Sequence, residues 1–407
     1  MKKIILSLIL AISFTFSFAQ KANVSKAKNK ALTETNPDFA GAREAIKLAL
    51  ADSTTKKLAE TWYVAGLIGN KENELLYQKA LLNQPFDTIV KGKAILESYN
   101  YFIQANKFDQ MPDAKGKVKP KFTKDIKSKL TEYYKIQQNL ISYGAHLYEK
   151  KNYEGAYQAF NVFLEIPKLP LMNNEIKMDS TYNMITYYAA ISASNAKMND
   201  KSAQLLEGLK DKNYETQNVY QLIYEQYMNQ KDSVSAVKTL KEGFEKFPTN
   251  GWFLQNLINY YIYSKKINDA LIYLNSAIEK DPKMAQYRYV KGNLDESIGN
   301  YDSALASFDK AIELDPTMAD AWAGKGRLYY NKAVRMAEES NKIKDVRLYN
   351  AEMKKVDAAF KESIPFFKKA TELNPKEVEY KKTLKTLYYR LKMDADFEAI
   401  NKEIKAM

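Results

Sequence analysis

Apolar residues recur every three to four positions along most of the chain, and the polar residues between them fall on the opposite face of a helical projection. The stretch "NYDSALASFDKAIELDP" (300–316) shows this spacing over four turns and ends at a proline. Such a period indicates amphipathic helices. No stretch shows the strict two-residue alternation of a half-buried strand. The pattern therefore predicts an all-α protein.

The second half of the chain divides into segments of equal length. Pro248, Pro282 and Pro316 are 34 residues apart. When segments 217–250, 251–284 and 285–318 are aligned, residues of the same size return at fixed positions: Ala236, Ala270 and Ala304 at position 20, Leu240, Leu274 and Phe308 at position 24, and Gly243, Ala277 and Ala311 at position 27. Small residues allow two helices to pack closely, and a large residue fills the space towards the next segment.

A 34-residue period that contains two helices resembles the tetratricopeptide repeat. The third segment also carries Gly292 at position 8 and Tyr301 at position 17, as that family does. The resemblance implies helix-turn-helix units that stack into a right-handed α-solenoid, because one such hairpin cannot bury its apolar face alone. The opening stretch is then the second helix of one repeat.

The repeat extends beyond these three segments in altered form. A fourth copy begins at Ala319 and contains 25 extra residues, between 331 and 363, whose helix-forming composition predicts that both of its helices are lengthened. Pro365 predicts a kink or break in the second of them. Two parts of the repeat pattern also occur upstream. Trp62 and Gly66 have the same spacing as Trp322 and Gly326. In the segment 139–167, residues of the expected size stand at positions 8, 17, 20 and 24: Gly144, Tyr153, Ala156 and Phe160.

These patterns predict the organisation of the chain. The predicted regions are a signal peptide at 1–19, a helical repeat-like region at 20–110, a basic loop at 111–121, divergent helical repeats at 122–212, the repeat array at 213–375 with its insertion, and capping helices at 376–407.

The first residues have the three parts of a secretory signal peptide. Lys2 and Lys3 precede an apolar run from Ile4 to Phe18, and small residues lead to a cleavage site after Ala19. The run of about fifteen residues is shorter than the ~20 that cross a bilayer, and no cysteine follows it for lipid attachment. We expect a soluble exported protein of the periplasm or cell envelope, neither a lipoprotein nor membrane-spanning. A buried N-terminal helix is the alternative.

The residue inventory disfavours catalysis. The chain has no cysteine and one histidine, His146, which we expect to pack or to lie at the surface. A histidine or thiolate metal cluster is therefore excluded, and no glycine-rich phosphate loop is present. We expect no enzyme activity, cofactor or metal. The net charge of +13 comes almost entirely from lysine, with six arginines. Because arginine is the residue suited to bidentate recognition of bases and phosphates, we expect no nucleic-acid partner.

The family resemblance implies a ligand site on the concave face, at positions 2, 5, 9, 12 and 13 of each first helix. Amide groups at these positions suit a peptide backbone, and aromatic rings supply contact area. A glycan would suit them too, or they form only a solvated surface. The candidate partner-binding residues are Asn218, Gln221, Trp252, Gln255, Asn259, Tyr263, Gln286, Tyr289, Asn293, Arg327 and Tyr330.

The segment "DAKGKVKPKFTKDIKSKL" (113–130) holds seven lysines and two aspartates, within a region (20–135) of 21 basic and 13 acidic residues. Gly116 and Pro120 predict an exposed loop in its first part. Clustered lysines attract anionic surfaces such as lipid head groups or acidic glycans, although such runs are also found as plain solvated loops. The candidate contacts are Lys115, Lys117, Lys119 and Lys121.

Two functional hypotheses arise from the sequence. The first is a non-enzymatic scaffold of the periplasm or cell envelope that holds an extended peptide or partner protein on its concave face. The second is a carbohydrate- or envelope-polymer-binding protein that uses the aromatic and amide groove and the lysine-rich loop.

Overall fold

The computed structural model describes residues 21–136 and 139–407, and every regular element in these two ranges is a helix. The predicted signal peptide (1–19) lies outside the described residues. The chain forms two compact units, Met1–Ala236 and Val237–Met407. Each is built from successive helices that pack as antiparallel hairpins, which confirms the predicted all-α class of stacked helix hairpins. The finer domain boundaries drawn from the sequence stay predictions.

The helices of the first unit follow one another along the chain, and their longest connections are 110–122, between α4 and α5, and 166–179, between α7 and α8. Helix α1 covers residues 21–32 of the described chain. The next helices are α2 (Phe39–Ala51), α3 (Ala59–Leu81), α4 (Thr88–Asp109), α5 (Thr123–Lys135), α6 (Leu140–Glu149), α7 (Tyr153–Glu165), α8 (Ser180–Asn195), α9 (Asn199–Glu207) and α10 (Thr216–Asn229). Two short 3₁₀ turns, Ile166–Lys168 and Pro170–Met172, lie between α7 and α8.

The second unit holds the regular part of the repeat. Its helices are α11 (Ser233–Lys246), which begins before the boundary, α12 (Gly251–Tyr263), α13 (Ile267–Lys280), α14 (Ala285–Ser297), α15 (Tyr301–Leu314), α16 (Ala319–Ser340), α17 (Val346–Leu373), α18 (Val378–Arg390) and α19 (Asp394–Lys405). Every second helix from α11 to α17 ends two residues before a proline. Proline lacks the backbone donor that would continue the helix and disfavours helical conformation in the residue before it.

The aromatic ring of Phe308 joins two successive hairpins. Phe308 of α15 is fully buried, and it lies between Gly292 of α14 and Gly324 of α16. A Cβ atom added at Gly292 would lie 2.7 Å from the ring, and one added at Gly324 would lie 2.6 Å from it. Only glycine leaves room for the ring at these two contacts. The predicted roles of the small residue at position 8 and the large residue at position 24 are confirmed.

The insertion in the fourth copy lengthens both helices, as the sequence predicts: α16 has 22 residues and α17 has 28. Helix α17 is continuous through Pro365, so the predicted break does not occur. Pro365 is exposed, whereas its neighbours Ser363 and Ile364 are buried. Packing of the buried face holds the helix together. The carbonyl group of Lys361, which loses its donor, lies on the solvent side, where water can hydrate it.

Candidate partner-binding groove

Three first helices of the second unit, α14, α16 and α18, line two adjoining cavities of about 500 Å³ each. Arg327 and Asn331 of α16 line both cavities, which are therefore parts of one surface. We call this surface the α14–α16–α18 groove. Its side chains come from the helix that opens each hairpin, which is the helix that the family resemblance implies for ligand binding.

The cavity between α16 and α18 has an apolar floor and a polar rim. Ala323 and Phe367 form the buried floor, and Tyr330 stands beside it with its ring 5.1 Å from that of Phe360 in an edge-to-face arrangement. The remaining lining residues are Arg327, Asn331, Glu379, Tyr380, Lys382, Thr383 and Thr386. An apolar floor with hydroxyl, amide and charged groups above it suits an amphipathic guest.

The Tyr380 hydroxyl is fixed at the wall of this cavity. It donates a hydrogen bond to Asp320 of α16. Burial raises the pKa of Tyr380 well above its usual range, and the hydrogen bond and the negative charge of Asp320 raise it further. The hydroxyl therefore remains protonated at all physiological pH values, and its hydrogen bond ties α18 to α16.

The cavity between α14 and α16 is organised by Arg327. Its Nε donates to Glu296 Oε2 at 3.0 Å, and its Nη2 donates to the same oxygen at 2.7 Å and to Asn293 Oδ1 at 2.6 Å. Asn331 donates to the other carboxylate oxygen of Glu296 at 2.9 Å. The structure thus brings together two predicted residues, Asn293 and Arg327, and the network orients them. Because Arg327 is 44% exposed, the ion pair shapes the surface more than it stabilises the fold.

The insertion adds a wall to this second cavity. Val334, Arg335 and Glu338 lie beyond the point where an ordinary first helix would end, and all three line the cavity. The Arg335 guanidinium group lies 3.8 Å from the ring centre of Tyr301, at the start of α15. This cation–π contact anchors the inserted turns of α16 to the preceding hairpin.

The other predicted groove residues lie apart from these cavities. On α12, Trp252 is half-buried and its ring stands edge-to-face on Phe253 at 5.1 Å, while Gln255, Asn259 and Tyr263 are exposed. On α14, Gln286 is exposed, and Tyr289 packs near Phe308 with ring centres 6.1 Å apart. None of these six lines either cavity.

The predicted residues Asn218 and Gln221 lie on α10, in the first unit. The side-chain amide of Asn218 donates to Glu215 Oε2 at 2.8 Å, and Gln221 is half-buried. Of the eleven predicted residues, the structure gathers Asn293, Arg327 and Tyr330 around the groove.

Sequence reasoning missed the contribution of α18, which it treated as part of a cap. The repeat register of the sequence does indicate this contribution. If the repeat register is continued past Pro375, Val378 takes position 1, and Glu379, Lys382 and Thr386 fall at positions 2, 5 and 9. These are the positions expected to face a ligand, and all three residues line the groove.

The remaining candidates lie in the first unit. Lys115, Lys117, Lys119 and Lys121 are all exposed in the segment between α4 and α5. His146 is half-buried on α6 and lines a shallow depression beside residues 85–89. Within residues 21–136 and 139–407, no three His, Asp or Glu side chains converge as metal ligands would. None of the described helices combines the length and apolar character needed to cross a bilayer.

Solved structures with likeness to this chain include two that are described as TPR repeat proteins, and MamA. One from Bacteroides fragilis, described as a TPR repeats protein, is 21% identical and covers 62% of this chain and 97% of its own (TM-score 0.32). The C-terminal part of a TPR repeat-containing protein from Cytophaga hutchinsonii is 17% identical, with coverages of 65% and 94% (TM-score 0.43). MamA is 17% identical, with coverages of 45% and 93% (TM-score 0.35).

No curated protein sequence matches this chain. A family model described as TPR repeat matches residues 292–332, which run from Gly292 on α14 to the middle of α16. The matched segment contains Phe308 and Gly324, and it also contains Arg327. The likeness to the TPR repeat rests on this match together with the 34-residue period and the Gly–Phe packing, and not on the three solved structures, whose TM-scores are below 0.5. Residues 292–332 of this chain thus match the tetratricopeptide repeat.

Proposed function

We propose that this protein is a non-enzymatic scaffold that binds an extended segment of a partner protein in the α14–α16–α18 groove. Its repeat fold is one that serves protein interaction. The observation that carries the proposal is the Arg327 network. It holds amide, guanidinium and carboxylate groups in fixed positions between two cavities, beside the Tyr330 ring.

An extended peptide matches the chemistry of the groove. Its backbone would exchange hydrogen bonds with the amides of Asn293 and Asn331 and with the hydroxyl groups of Thr383 and Thr386. An apolar side chain of the peptide would occupy the floor formed by Ala323 and Phe367. Binding on such a rigid helical surface needs little reorganisation of the protein.

The hydrogen bonding of the Glu296 carboxylate supports binding rather than catalysis. Both oxygens of Glu296 accept hydrogen bonds, from Arg327 and from Asn331. Three hydrogen bonds occupy most of the roughly four lone-pair sites of this carboxylate, so it has little capacity left to accept a proton from a substrate. This arrangement supports the non-enzymatic part of the proposal.

We also propose that the protein acts in the periplasm or cell envelope as a soluble, exported protein and not as a lipoprotein. The signal-peptide pattern in residues 1–19 and the lack of cysteine support this location. Determining the N-terminal residue of the protein purified from its source cells by mass spectrometry tests it. A mature chain that starts at Gln20 agrees with export, and one that starts at Met1 contradicts it.

Carbohydrate or envelope-polymer binding is a second candidate, favoured by the surface of α12. Tyr263 is 86% exposed there, and Gln255 and Asn259 are exposed on the same helix. Exposed aromatic rings with neighbouring amides are suited to stack on and hydrogen-bond with sugars.

Selection from a random peptide library displayed on phage separates the two functions. We expect enriched peptides to bind the wild type and to lose at least about tenfold in affinity for Arg327→Ala combined with Tyr330→Ala, a loss of about 1.4 kcal/mol. The matched control, Lys369→Ala combined with Tyr389→Ala, removes a cation and a tyrosine that line neither groove cavity. Equal binding to the wild type and the groove variant would contradict the groove proposal. Glycan binding that is lost in Tyr263→Ala would favour the second function.

A further inference from the structure

One end of the first unit combines residues that are far apart in sequence. The ring of Trp62 on α3 stacks on that of Phe108 on α4, with centres 6.1 Å apart. The ring of Tyr63 stacks on that of Phe122 at 4.4 Å, and its hydroxyl donates to Asp125 Oδ2 at 2.7 Å. The turn before α3 and the segment between α4 and α5 are therefore neighbours. We call their shared surface the basic end.

The basic end exposes lysine and apolar side chains together. Its exposed lysines are Lys56 and Lys57 from the turn and Lys115, Lys117, Lys119 and Lys121 from the longer segment. Its apolar side chains are Leu58, Met111 and Val118, which are 38%, 49% and 48% exposed. Lysines interleaved with exposed apolar residues are typical of proteins that lie on membrane surfaces.

Two carboxylate groups at this end, those of Asp109 and Asp113, shape the backbone of the segment between α4 and α5. Asp109 accepts hydrogen bonds from the backbone N–H groups of Lys121, Phe122 and Thr123 at 2.8–2.9 Å. Asp113 accepts from the backbone N–H groups of Lys115 and Lys117 at 2.9 and 3.0 Å. The segment is therefore held in a defined shape, with its lysine side chains in solvent.

Both aspartates keep their negative charge in this arrangement. Burial opposes ionisation of Asp109, but the hydrogen bonds from Lys121, Phe122 and Thr123 outweigh it and lower the pKa of the carboxyl group. Of the four lysines in the segment, Lys119 also contacts Asp113, at 3.3 Å, and its side chain is still 70% exposed.

We infer that the basic end docks on an anionic lipid bilayer. The lysine ammonium groups would meet the lipid phosphates, and Met111, Val118 and Leu58 would enter the interfacial layer. Two observations favour a bilayer over a soluble polyanion. The apolar side chains have no use on a fully hydrated polymer, and lysine lacks the planar fork with which arginine grips individual phosphate or sulfate groups. This docking does not depend on the groove, which lies in the other unit.

Vesicle flotation tests the inference, using vesicles of phosphatidylcholine alone and of phosphatidylcholine with one third phosphatidylglycerol. The readout is the ratio of binding to the anionic and the neutral vesicles, so that residues 1–19, where retained, contribute equally to every variant. Replacing Lys115, Lys117, Lys119 and Lys121 by Gln should lower this ratio by on the order of a hundredfold at low salt. Raising the salt to physiological strength, where screening acts over ~8 Å, should weaken wild-type binding.

A charge-matched control replaces four exposed lysines of the second unit, Lys265, Lys283, Lys342 and Lys355, by Gln. This variant should float with anionic vesicles as the wild type does. Unchanged helix content in both quadruple variants, measured by circular dichroism, shows that folding is intact. If the two quadruple variants lose binding equally, net charge alone is responsible, and the inference is overturned.

Substitution of the exposed apolar residues distinguishes binding to a bilayer from binding to a soluble polyanion. Met111→Ser combined with Val118→Ser should lower vesicle binding by about tenfold and leave retention on a soluble sulfated glycan unchanged. If the double variant binds vesicles as the wild type does while heparin competes fully, the partner is a polyanion. Absence of wild-type binding to anionic vesicles at low salt would also overturn the inference.

Discussion

Hairpins α6–α7 and α14–α15 lie in different units and use the same internal contact. A Cβ atom added at Gly144 would lie 2.4 Å from the Phe160 ring, and one added at Gly292 would lie 2.7 Å from the Phe308 ring. The hairpins differ in their connection to the next helix. Phe308 also meets Gly324 of the next hairpin, across a connection of four residues, 315–318. After Phe160 the chain passes through two 3₁₀ turns before α8 begins at Ser180.

The comparison separates two contacts. One packs the two helices of a hairpin together, and the other packs a hairpin against the next one. The Gly–Phe contact inside a hairpin recurs in both units. A second glycine and a short connection bring the next first helix against the same aromatic ring, and this arrangement is seen at α15–α16. A four-residue connection, 374–377, also links α17 to α18. The groove is found where these short connections place successive first helices side by side.

The largest expected effect comes from removing the ring that joins two hairpins. Phe308→Ala should lower the free energy of unfolding by about 5 kcal/mol, near the upper end for a buried Phe, because the ring packs against α14 and α16. Phe160→Ala should cost about 3 kcal/mol. Chemical denaturation followed by circular dichroism measures both. Equal losses would show that the second glycine contact adds nothing.

The glycine contacts themselves give a smaller effect. Gly292→Ala and Gly324→Ala should each lower the free energy of unfolding by about 1–3 kcal/mol, because the new methyl group forces the Phe308 ring to move. Gly251→Ala is the matched control, since no heavy atom lies within 4 Å of its added Cβ. Thermal melting of the three variants compares them. A control that melts as low as the two test variants would contradict the packing account.

These contacts are the part of the fold that was predictable from sequence. Prolines at a fixed interval indicated where helices end, and Gly292 with Phe308 indicated the packing of two helices, because both depend on backbone geometry and size. The stack of Arg335 on Tyr301 was not predictable, since it depends on the length of the insertion. The helix does not break at Pro365, because burial of Ser363 and Ile364 outweighs the loss of one backbone hydrogen bond.

The candidate site was only partly predictable from the sequence, because its side-chain pairs join different helices. Repeat position identified Arg327, Tyr330 and Asn293 as facing outward on first helices. It did not reveal that the Glu296 carboxylate would join Arg327 to Asn331, because side-chain pairing depends on the distance between neighbouring helices.

The connection between α4 and α5 gives a further contrast with the short connections of the second unit. Asp109→Asn should lower the free energy of unfolding by about 1–2 kcal/mol at neutral pH. Folding lowers the pKa of Asp109. The contribution of this carboxylate to the free energy of unfolding is therefore complete above the pKa of the unfolded chain, about 3.9, and is lost as the pH falls through the lower pKa of the folded protein. The difference between wild type and variant should therefore be constant from pH 7 to 5 and shrink below pH 4. A difference that persists at pH 2 would contradict this origin.

The smallest expected effect on stability comes from the groove. Arg327→Ala should lower the free energy of unfolding by less than about 1 kcal/mol, since the Arg327 side chain is 44% exposed and Asn331 still donates a hydrogen bond to Glu296 in the variant. Arg347→Ala, at the exposed start of α17, is the matched control. Thermal melting checks both. A loss several times larger in Arg327→Ala would mean that this residue serves the fold instead of a ligand.

The central claim is that α14, α16 and α18 form the partner-binding surface, and site-specific photo-crosslinking in living cells tests it most directly. A photoreactive residue is placed at Thr386 in the groove and, in a second variant, at Lys369 on α17, whose side chain is 45% exposed. We predict a discrete crosslinked protein at Thr386 that disappears when Arg327→Ala is added, and none at Lys369. The same adduct at both positions, or one at Thr386 that survives Arg327→Ala, would contradict the claim.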